Sequence, residues 1–417
     1  MRTVFGLAPI LLYSFLASAA AHGETALARS FADAWQRQPA AAGLLERDRA
    51  AAARRAAAEA WTAAPASVEL STRSDRFNRR NGARENEIGL VLPLWLPGER
   101  SGSQALAEAE AAAMAGRGEA LRLRLAQIVR ETWWAWQGAR NEVALAGERV
   151  AAATRLRDDV ARRFAAGDLS RADLNQADGA LAQGLVLQAE AQSAELGLRH
   201  RLESLSGKGP ADGEVQAEPE PALPVDESVG QSAGKSAQDP AAHPALRELA
   251  ARGEVARREV DLARAQSRAS PELMLSTRTD RSAYGEPNEQ TWALAVRIPF
   301  SAGPRQDARV ATANAEAIEA GVEFDRERER LGREAAAVRQ QVAAARQQLA
   351  AAEQRARLAR ENRGFYEKSF RLGETDLPTR LRIDSEAFEA ERALGRARIA
   401  LAQGISQWRQ SLGLLPE

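Results

Sequence analysis

Two different periods divide this chain. Between Thr291 and Phe300 the large apolar residues Trp292, Leu294, Val296, Ile298 and Phe300 take every second position, with Thr291, Ala293, Ala295, Arg297 and Pro299 between them. Ile88, Leu90, Leu92 and Leu94 do the same against Glu87, Gly89, Val91 and Pro93. A period of two predicts strands with one apolar face. The segments before them, residues 67–75 and 272–280, are more polar and carry Val68, Leu70, Leu273 and Leu275. Polar loops at 77–82 and 282–288 join each pair, predicting β-hairpins over 66–96 and 271–301.

Everything else is rich in Ala, Arg, Glu, Gln and Leu, which are strong helix formers. Helix is expected over 24–61, 101–205, 244–267 and 305–412. At about 1.5 Å per residue, the run from Gly98 to Phe164 alone reaches roughly 100 Å, the length of a coiled coil or a tube wall. The strings Phe164-Ala165-Ala166-Gly167 and Phe370-Arg371-Leu372-Gly373 interrupt the two longest runs, so each run is a helical hairpin, 98–205 and 303–412. Residues 206–242, dense in Gly, Pro, Ser, Glu and Gln, join the halves as an irregular connector.

The halves are one unit written twice. Leu70-Ser71-Thr72-Arg73-Ser74-Asp75-Arg76 recurs as Leu275-Ser276-Thr277-Arg278-Thr279-Asp280-Arg281, an offset of 205. Pro93 answers Pro299 at 206, and Gly98 and Arg100 answer Gly303 and Arg305. The Phe-x-x-Gly strings repeat at 206. The spacing is far beyond the 20–50 residues of a solenoid, so the repeats are duplicated supersecondary units, 22–205 and 243–417.

The N-terminus changes where this pattern must fold. Arg2, an apolar run from Val4 to Leu16 and the small residues Ala19-Ala20-Ala21 make residues 1–21 a cleavable signal peptide, shorter than the roughly 20 apolar residues of a spanning helix. The rival is a retained N-terminal anchor. An exported chain with strands of nine or ten alternating residues matches the outer-membrane barrel pattern. Ile88, Leu90, Leu92, Leu94, Trp292, Leu294, Val296 and Ile298 would then face lipid, and Trp95 and Trp292 suit an interfacial aromatic belt. Two hairpins supply four strands, whereas barrels begin at eight. An open sheet in lipid leaves unpaired backbone groups costing several kcal/mol each, so several copies must share one barrel. The competing reading is a soluble sheet in a periplasmic coiled-coil protein.

Composition mainly excludes. The 417 residues hold 57 acidic and 57 basic side chains, which gives no support to a nucleic-acid partner. No cysteine is present, which removes disulfides, thiolate metal sites, thiol nucleophiles and lipidation at a cysteine. Gly230-Gln231-Ser232-Ala233-Gly234-Lys235-Ser236 has three residues between its glycines where a phosphate-binding loop needs four. His22, His200 and His243 are too scattered for a metal triad, and Met114 and Met274 suit packing. Trp133, Trp134 and Trp136 cannot share one helix face and suit helix–helix packing. No enzymatic chemistry and no cofactor is expected.

Helix, hairpin, long helical hairpin and connector, all repeated, resemble the TolC-type outer membrane factor family over essentially the whole mature chain. Ala34-Trp35-Gln36-Arg37-Gln38-Pro39 is similar to the family's first helix with its early proline. Leu92-Pro93-Leu94 and Ile298-Pro299-Phe300, each followed by a glycine, resemble its strand-to-helix crossings. The string from Arg371 through Gly373, Glu374, Thr375, Asp376, Leu377 and Pro378 to Leu381 resembles the second hairpin tip of the heavy-metal (cobalt–zinc–cadmium) branch. The resemblance implies a mainly α protein with a membrane β-barrel: a homotrimer sharing twelve strands, set in outer-membrane lipid of a Gram-negative bacterium and extended through the periplasm by an α-barrel. It further implies a passive exit duct that docks to a periplasmic adaptor (membrane fusion) protein and an inner-membrane pump of the resistance–nodulation–division class, with heavy-metal cations as cargo. Unlike some relatives, this chain has no cysteine to lipidate. By resemblance the hairpin tips form the periplasmic mouth. Asp173 matches a gate aspartate, Glu374, Asp376 and Asp384 are candidates in the second half, and an extra residue after Gly373 blurs that alignment. Gly167, Leu169, Gly373 and Leu377 are the expected adaptor contacts. The alternatives are the adaptor itself, which places one hairpin centrally between β domains, and a non-transporting periplasmic scaffold.

Overall fold

The computed structural model describes residues 25–78, 81–210, 217–221, 242–300 and 303–417. The expected signal peptide (1–21), His22 and the Gly230–Ser236 string lie outside the described residues. The chain runs α1 (Ala26–Gln36), α2 (Pro39–Ala42), α3 (Leu44–Glu59), β1 (Ser67–Ser74), β2 (Arg84–Pro93), α4 (Glu99–Ala166), α5 (Arg171–Ser206), α6 (Pro244–Ala265), β3 (Glu272–Arg281), β4 (Glu289–Arg297), α7 (Pro304–Arg371) and α8 (Leu377–Ser411). Residues 24–61 are therefore not one helix. Proline restricts the residue before it, and Gln38 is extended ahead of Pro39, so the helix stops there.

The duplication is visible in the elements. Helices α4 and α7 each have 68 residues, about 100 Å at the helical rise. Each follows a positive-φ glycine, Gly98 or Gly303, and each ends at another, Gly167 or Gly373. An L-residue in the left-handed region is strained, so these glycines fix where the long helices begin and stop. Helices α5 and α8 then start on capped turns and return antiparallel to α4 and α7.

The strands form a single antiparallel sheet in the order β1-β2-β3-β4, so the two hairpins of the two halves pair through β2 and β3. Below the sheet, α4 packs on α3 and α6, and α6 packs on α7. Farther down, α4 packs on α5 and α8, and α8 on α7. The apolar interior is a string of separate clusters along these seams. The largest lies at the equator, where Trp133, Trp134 and Trp136 are all buried among Leu27, Leu125, Leu202 and Ala402. The three tryptophans do not share a face of α4; neighbours α1, α5 and α8 surround the helix there, so every face is covered.

Candidate functional site: the sheet wall and the hairpin tips

The strand register sorts the sheet into two chemically distinct faces. Val68, Leu90, Leu275 and Leu294 are successive Cα partners across all four strands and form one row. Leu70, Ile88, Thr277 and Trp292 form the next row toward the loops, and Leu92, Leu273 and Val296 the row on the other side. Beyond Trp292 the same face turns polar with Thr72, Asn86, Thr279 and Gln290. Ile298 is exposed and Leu94 half-buried just past the strand ends, where the Leu94 N–H donates to the Pro271 carbonyl at 2.7 Å. From Trp292 to Phe300 the apolar positions span eight residue steps, about 27 Å at the extended rise carried past the end of β4, or about 20 Å of height at a 40° tilt.

The opposite face carries Glu69, Arg73, Glu85, Glu87, Glu272, Arg278, Asp280, Glu289 and Arg297, with small residues such as Gly89, Ser276 and Ala293 between them. Its charges interlock: Arg278 reaches Glu85 at 3.1 Å, Arg73 reaches the same carboxylate at 3.7 Å, and Arg297 meets Glu272 at 3.0 Å. Charges pair on one face while large apolar side chains stand bare on the other; Leu294 is 71% exposed. An apolar patch of this extent needs a covering of lipid or protein. Strands β1 and β4 are both edges. The other expected belt residue behaves differently: the Trp95 indole is half-buried and donates to the Ala60 carbonyl at 3.0 Å, which ties the strand exit to α3.

At the far end the two helical hairpins meet side by side. Val160, Ala177, Phe370 and Leu377 form a buried cluster with Leu156, Leu169, Leu174 and Leu381 around it. Arg163 locks the tips together. Its guanidinium donates to the Phe370 and Arg371 carbonyls at 3.1 and 3.2 Å and lies 5.0 Å from the Phe370 ring centre. The Phe370 carbonyl, which already accepts from the Gly373 N–H at 3.1 Å, and the Arg371 carbonyl thereby gain a donor from a side chain of the other half. Sequence reasoning missed Arg163, whose partners lie 207 and 208 residues away.

The structure gives most of the candidate carboxylates defined local partners. Asp173 sits in a capping box: it accepts from the Ser170 N–H at 2.9 Å and the Ser170 hydroxyl at 2.6 Å, and that hydroxyl accepts from the Asp173 N–H at 3.2 Å. These bonds favour the ionised form and hold its carboxyl below the usual range. Asp376 is the N-cap of α8 and accepts from the Thr379 N–H at 3.2 Å. Asp384 is paired with Arg380 at 2.9 Å and Arg363 at 3.2 Å, yet burial raises its pKa against their pull. Glu374 stands exposed, 3.4 Å from the Ser369 hydroxyl.

Two expectations need correction. The caps align at a constant offset of 206, Gly167 with Gly373 and Ser170 with Asp376, so no extra residue follows Gly373. Thr379, not an acid, corresponds to Asp173. Leu377 is only 1% exposed and packs inside the tip cluster, so its side chain is not a surface contact, whereas Leu372 beside Gly373 is exposed. Gly167 and Gly373 are exposed and Leu169 is half-buried.

Among the described residues no three His, Asp or Glu side chains converge where a metal ion could be held. No described helix is long and apolar enough to cross a membrane. The arrangement suits a wall: one apolar face, one charged face, and a mouth of helical tips.

No family model and no curated protein sequence matches this chain. Solved structures do. CusC, whose folding and transmembrane channel formation involve conformational changes, is 16% identical with a TM-score of 0.75, covering 94% of this chain and 93% of its own. The outer membrane protein VceC of Vibrio cholerae is 17% identical with a TM-score of 0.71, over 94% of this chain and 97% of its own. The open state of the MtrE outer membrane channel of Neisseria gonorrhoeae is 15% identical with a TM-score of 0.71, over 93% and 89%. Across almost its whole length, the chain has the TolC-like fold of these outer membrane proteins.

Proposed function

We propose that the chain is one subunit of a homotrimeric outer-membrane exit duct in a tripartite efflux system. The observation that carries this reading is the four-stranded sheet with a bare apolar face, a charged opposite face and two open edges. A ring of three copies, β4 of each pairing with β1 of the next, gives a closed twelve-stranded barrel whose backbone groups are all bonded. The helices offer matching open edges. Helix α7 exposes Ile318, Val322, Leu358 and Phe365, while α5 at the opposite side exposes Leu185, Val186 and Leu196. Head-to-tail contact of this kind closes into a ring.

In this reading the charged sheet face lines the bore. It carries six acidic residues (Glu69, Glu85, Glu87, Glu272, Asp280, Glu289) against three arginines (Arg73, Arg278, Arg297), on a chain with no net charge. A bore of net negative sign favours cations, which agrees with heavy-metal cargo and with the resemblance of the second tip to the heavy-metal branch. The tips form the periplasmic mouth. Gly167, Gly373, Leu169 and Leu372 are assigned to the adaptor, with an inner-membrane pump of the resistance–nodulation–division class beyond it. Asp173, Glu374, Asp376 and Asp384 remain the gate candidates; Glu374 is the one without a cap or arginine partner, and so the freest to face the axis.

The test is deletion of the gene followed by exposure to zinc, cobalt, cadmium and copper salts and to lipophilic drugs. Sensitivity to the metals is expected, together with detergent-resistant oligomers of the restored protein in the outer membrane. Soluble monomers in the periplasm would instead favour a scaffold, and sensitivity to drugs alone would remove the metal cargo.

A further inference from the structure

At the equator, a short stretch of the connector is seated in a site that its own helices build. Glu218 is 3% exposed. Its carboxylate receives both Nε and Nη2 of Arg130 on α4, at 3.0 and 2.7 Å, and the Ser406 hydroxyl on α8. Arg409 on α8 brings its Nε to 3.4 Å from the same carboxylate and donates from Nη1 to the Pro219 carbonyl at 3.1 Å. Glu220 then meets Arg346 on α7.

The helices hold this site from behind. Arg130 also donates to Gln410 Oε1 at 2.6 Å and to the Leu414 carbonyl at 2.9 Å, and Gln410 donates to the Leu123 carbonyl at 2.9 Å. Arg130 belongs to the first half of the chain, and Ser406 and Arg409 to the second. Both arginines are nearly fully buried. Arg409 has a second carboxylate, Glu417, at 3.0 Å, whereas Glu218 is the carboxylate paired with Arg130.

We propose that α4 and α8 build a carboxylate-binding site across the two halves, filled in cis by Glu218, so that residues 217–221 act as a strap that closes the α4–α8 seam. Two guanidiniums facing one slot repel each other, and where the connector covers them they are desolvated as well, so the covered site requires an anion. Seating Glu218 therefore completes the equator, and does so only when both halves are already side by side. Elsewhere along this seam the charges are wetter: Glu142 with Arg392 and Arg396 at 2.7 and 2.8 Å is a half-exposed cluster. At the strap, the seam takes up a buried charge delivered from outside the helices. This inference does not rest on the cargo or on the transport reading.

The test is chemical rescue. The full-length Glu218→Ala variant is refolded in detergent with formate, with the neutral analogue formamide, or with chloride at equal ionic strength. The expected result is a lowered thermal midpoint and loss of helical signal, restored by formate and not by formamide or chloride. In the Glu218→Ala/Arg130→Met/Arg409→Met variant the buried charge is gone, so formate should no longer shift the midpoint. A Glu218→Ala protein with the wild-type midpoint overturns the proposal. So does one that formate restores no better than chloride, since that leaves no built carboxylate site.

Discussion

The sheet end and the equator use similar side chains in opposite ways. At the equator Trp134 is 1% exposed, and large apolar groups from α1, α4, α5 and α8 cover one another within one chain. In the sheet, Leu294, Trp292, Leu70 and Val68 are apolar on a face that stands exposed among the described residues. Hydrophobic burial has therefore been completed in one region and left open in the other. The equator is covered by its own helices, whereas the sheet face, on the function proposed above, is covered by lipid and its edges by further copies. A substitution at the equator should accordingly act on folding of the protomer, and one on the sheet face on assembly.

The largest effect is expected from Leu294→Arg, in the middle apolar row. A cation there costs about 2–4 kcal/mol near mid-bilayer, and the cost recurs in every protomer of a ring. Outer-membrane oligomers should disappear while helical content by circular dichroism stays unchanged. Ala293→Arg provides the contrast, because Ala293 lies one residue away on the charged face, and its oligomers should survive. Normal oligomers from Leu294→Arg, or equal loss from both variants, would break the distinction between the faces.

Trp134→Ala sharpens the other side of the comparison. Removing a fully buried tryptophan costs about 3–5 kcal/mol through lost burial and the cavity left behind. Here the protomer itself should be damaged, with a lower thermal midpoint in detergent before any question of assembly arises. A variant with the parent's midpoint that still fails to assemble would show that the equator, too, depends on other copies.

These two regions were not equally legible in the sequence. The sheet face was readable because side chains alternate with a period of two and the register follows the same period. The more polar β1 and β3 follow from their place just before the alternating strands, across short polar loops. The tips were readable from Phe-x-x-Gly, since a left-handed turn selects glycine. Packing between distant segments left no such trace. Leu377 looks like a surface residue after a helix cap, and becomes buried only because the other hairpin's Val160 and Ala177 lie against it. Glu218 sits in a stretch whose composition reads as linker, yet it bonds to Arg130 and Ser406, 88 and 188 residues away. Asp173 and Asp376 stand out as gate candidates through the family resemblance, whereas their spacing, one three residues beyond Ser170 and the other at the N-cap itself, encodes helix caps.

The smallest expected effect separates the two tips from each other. Asp173 has a folded pKa lowered by its Ser170 bonds, so ionisation favours the folded turn. Its contribution is complete above the unfolded carboxyl value of about 3.9 and is lost as pH falls through the lower folded value. Amide exchange around 170–174, corrected for intrinsic rates, should therefore stay level from neutral pH to about pH 4 and then rise. In Asp173→Ala it should be faster throughout and lack that acid step. In that variant the start of α8 should keep the parent's exchange, because its own cap, Asp376 accepting from the Thr379 N–H at 3.2 Å, does not involve Asp173. An equal response at both tips would mean that the Arg163 clasp couples them so tightly that they open as one unit.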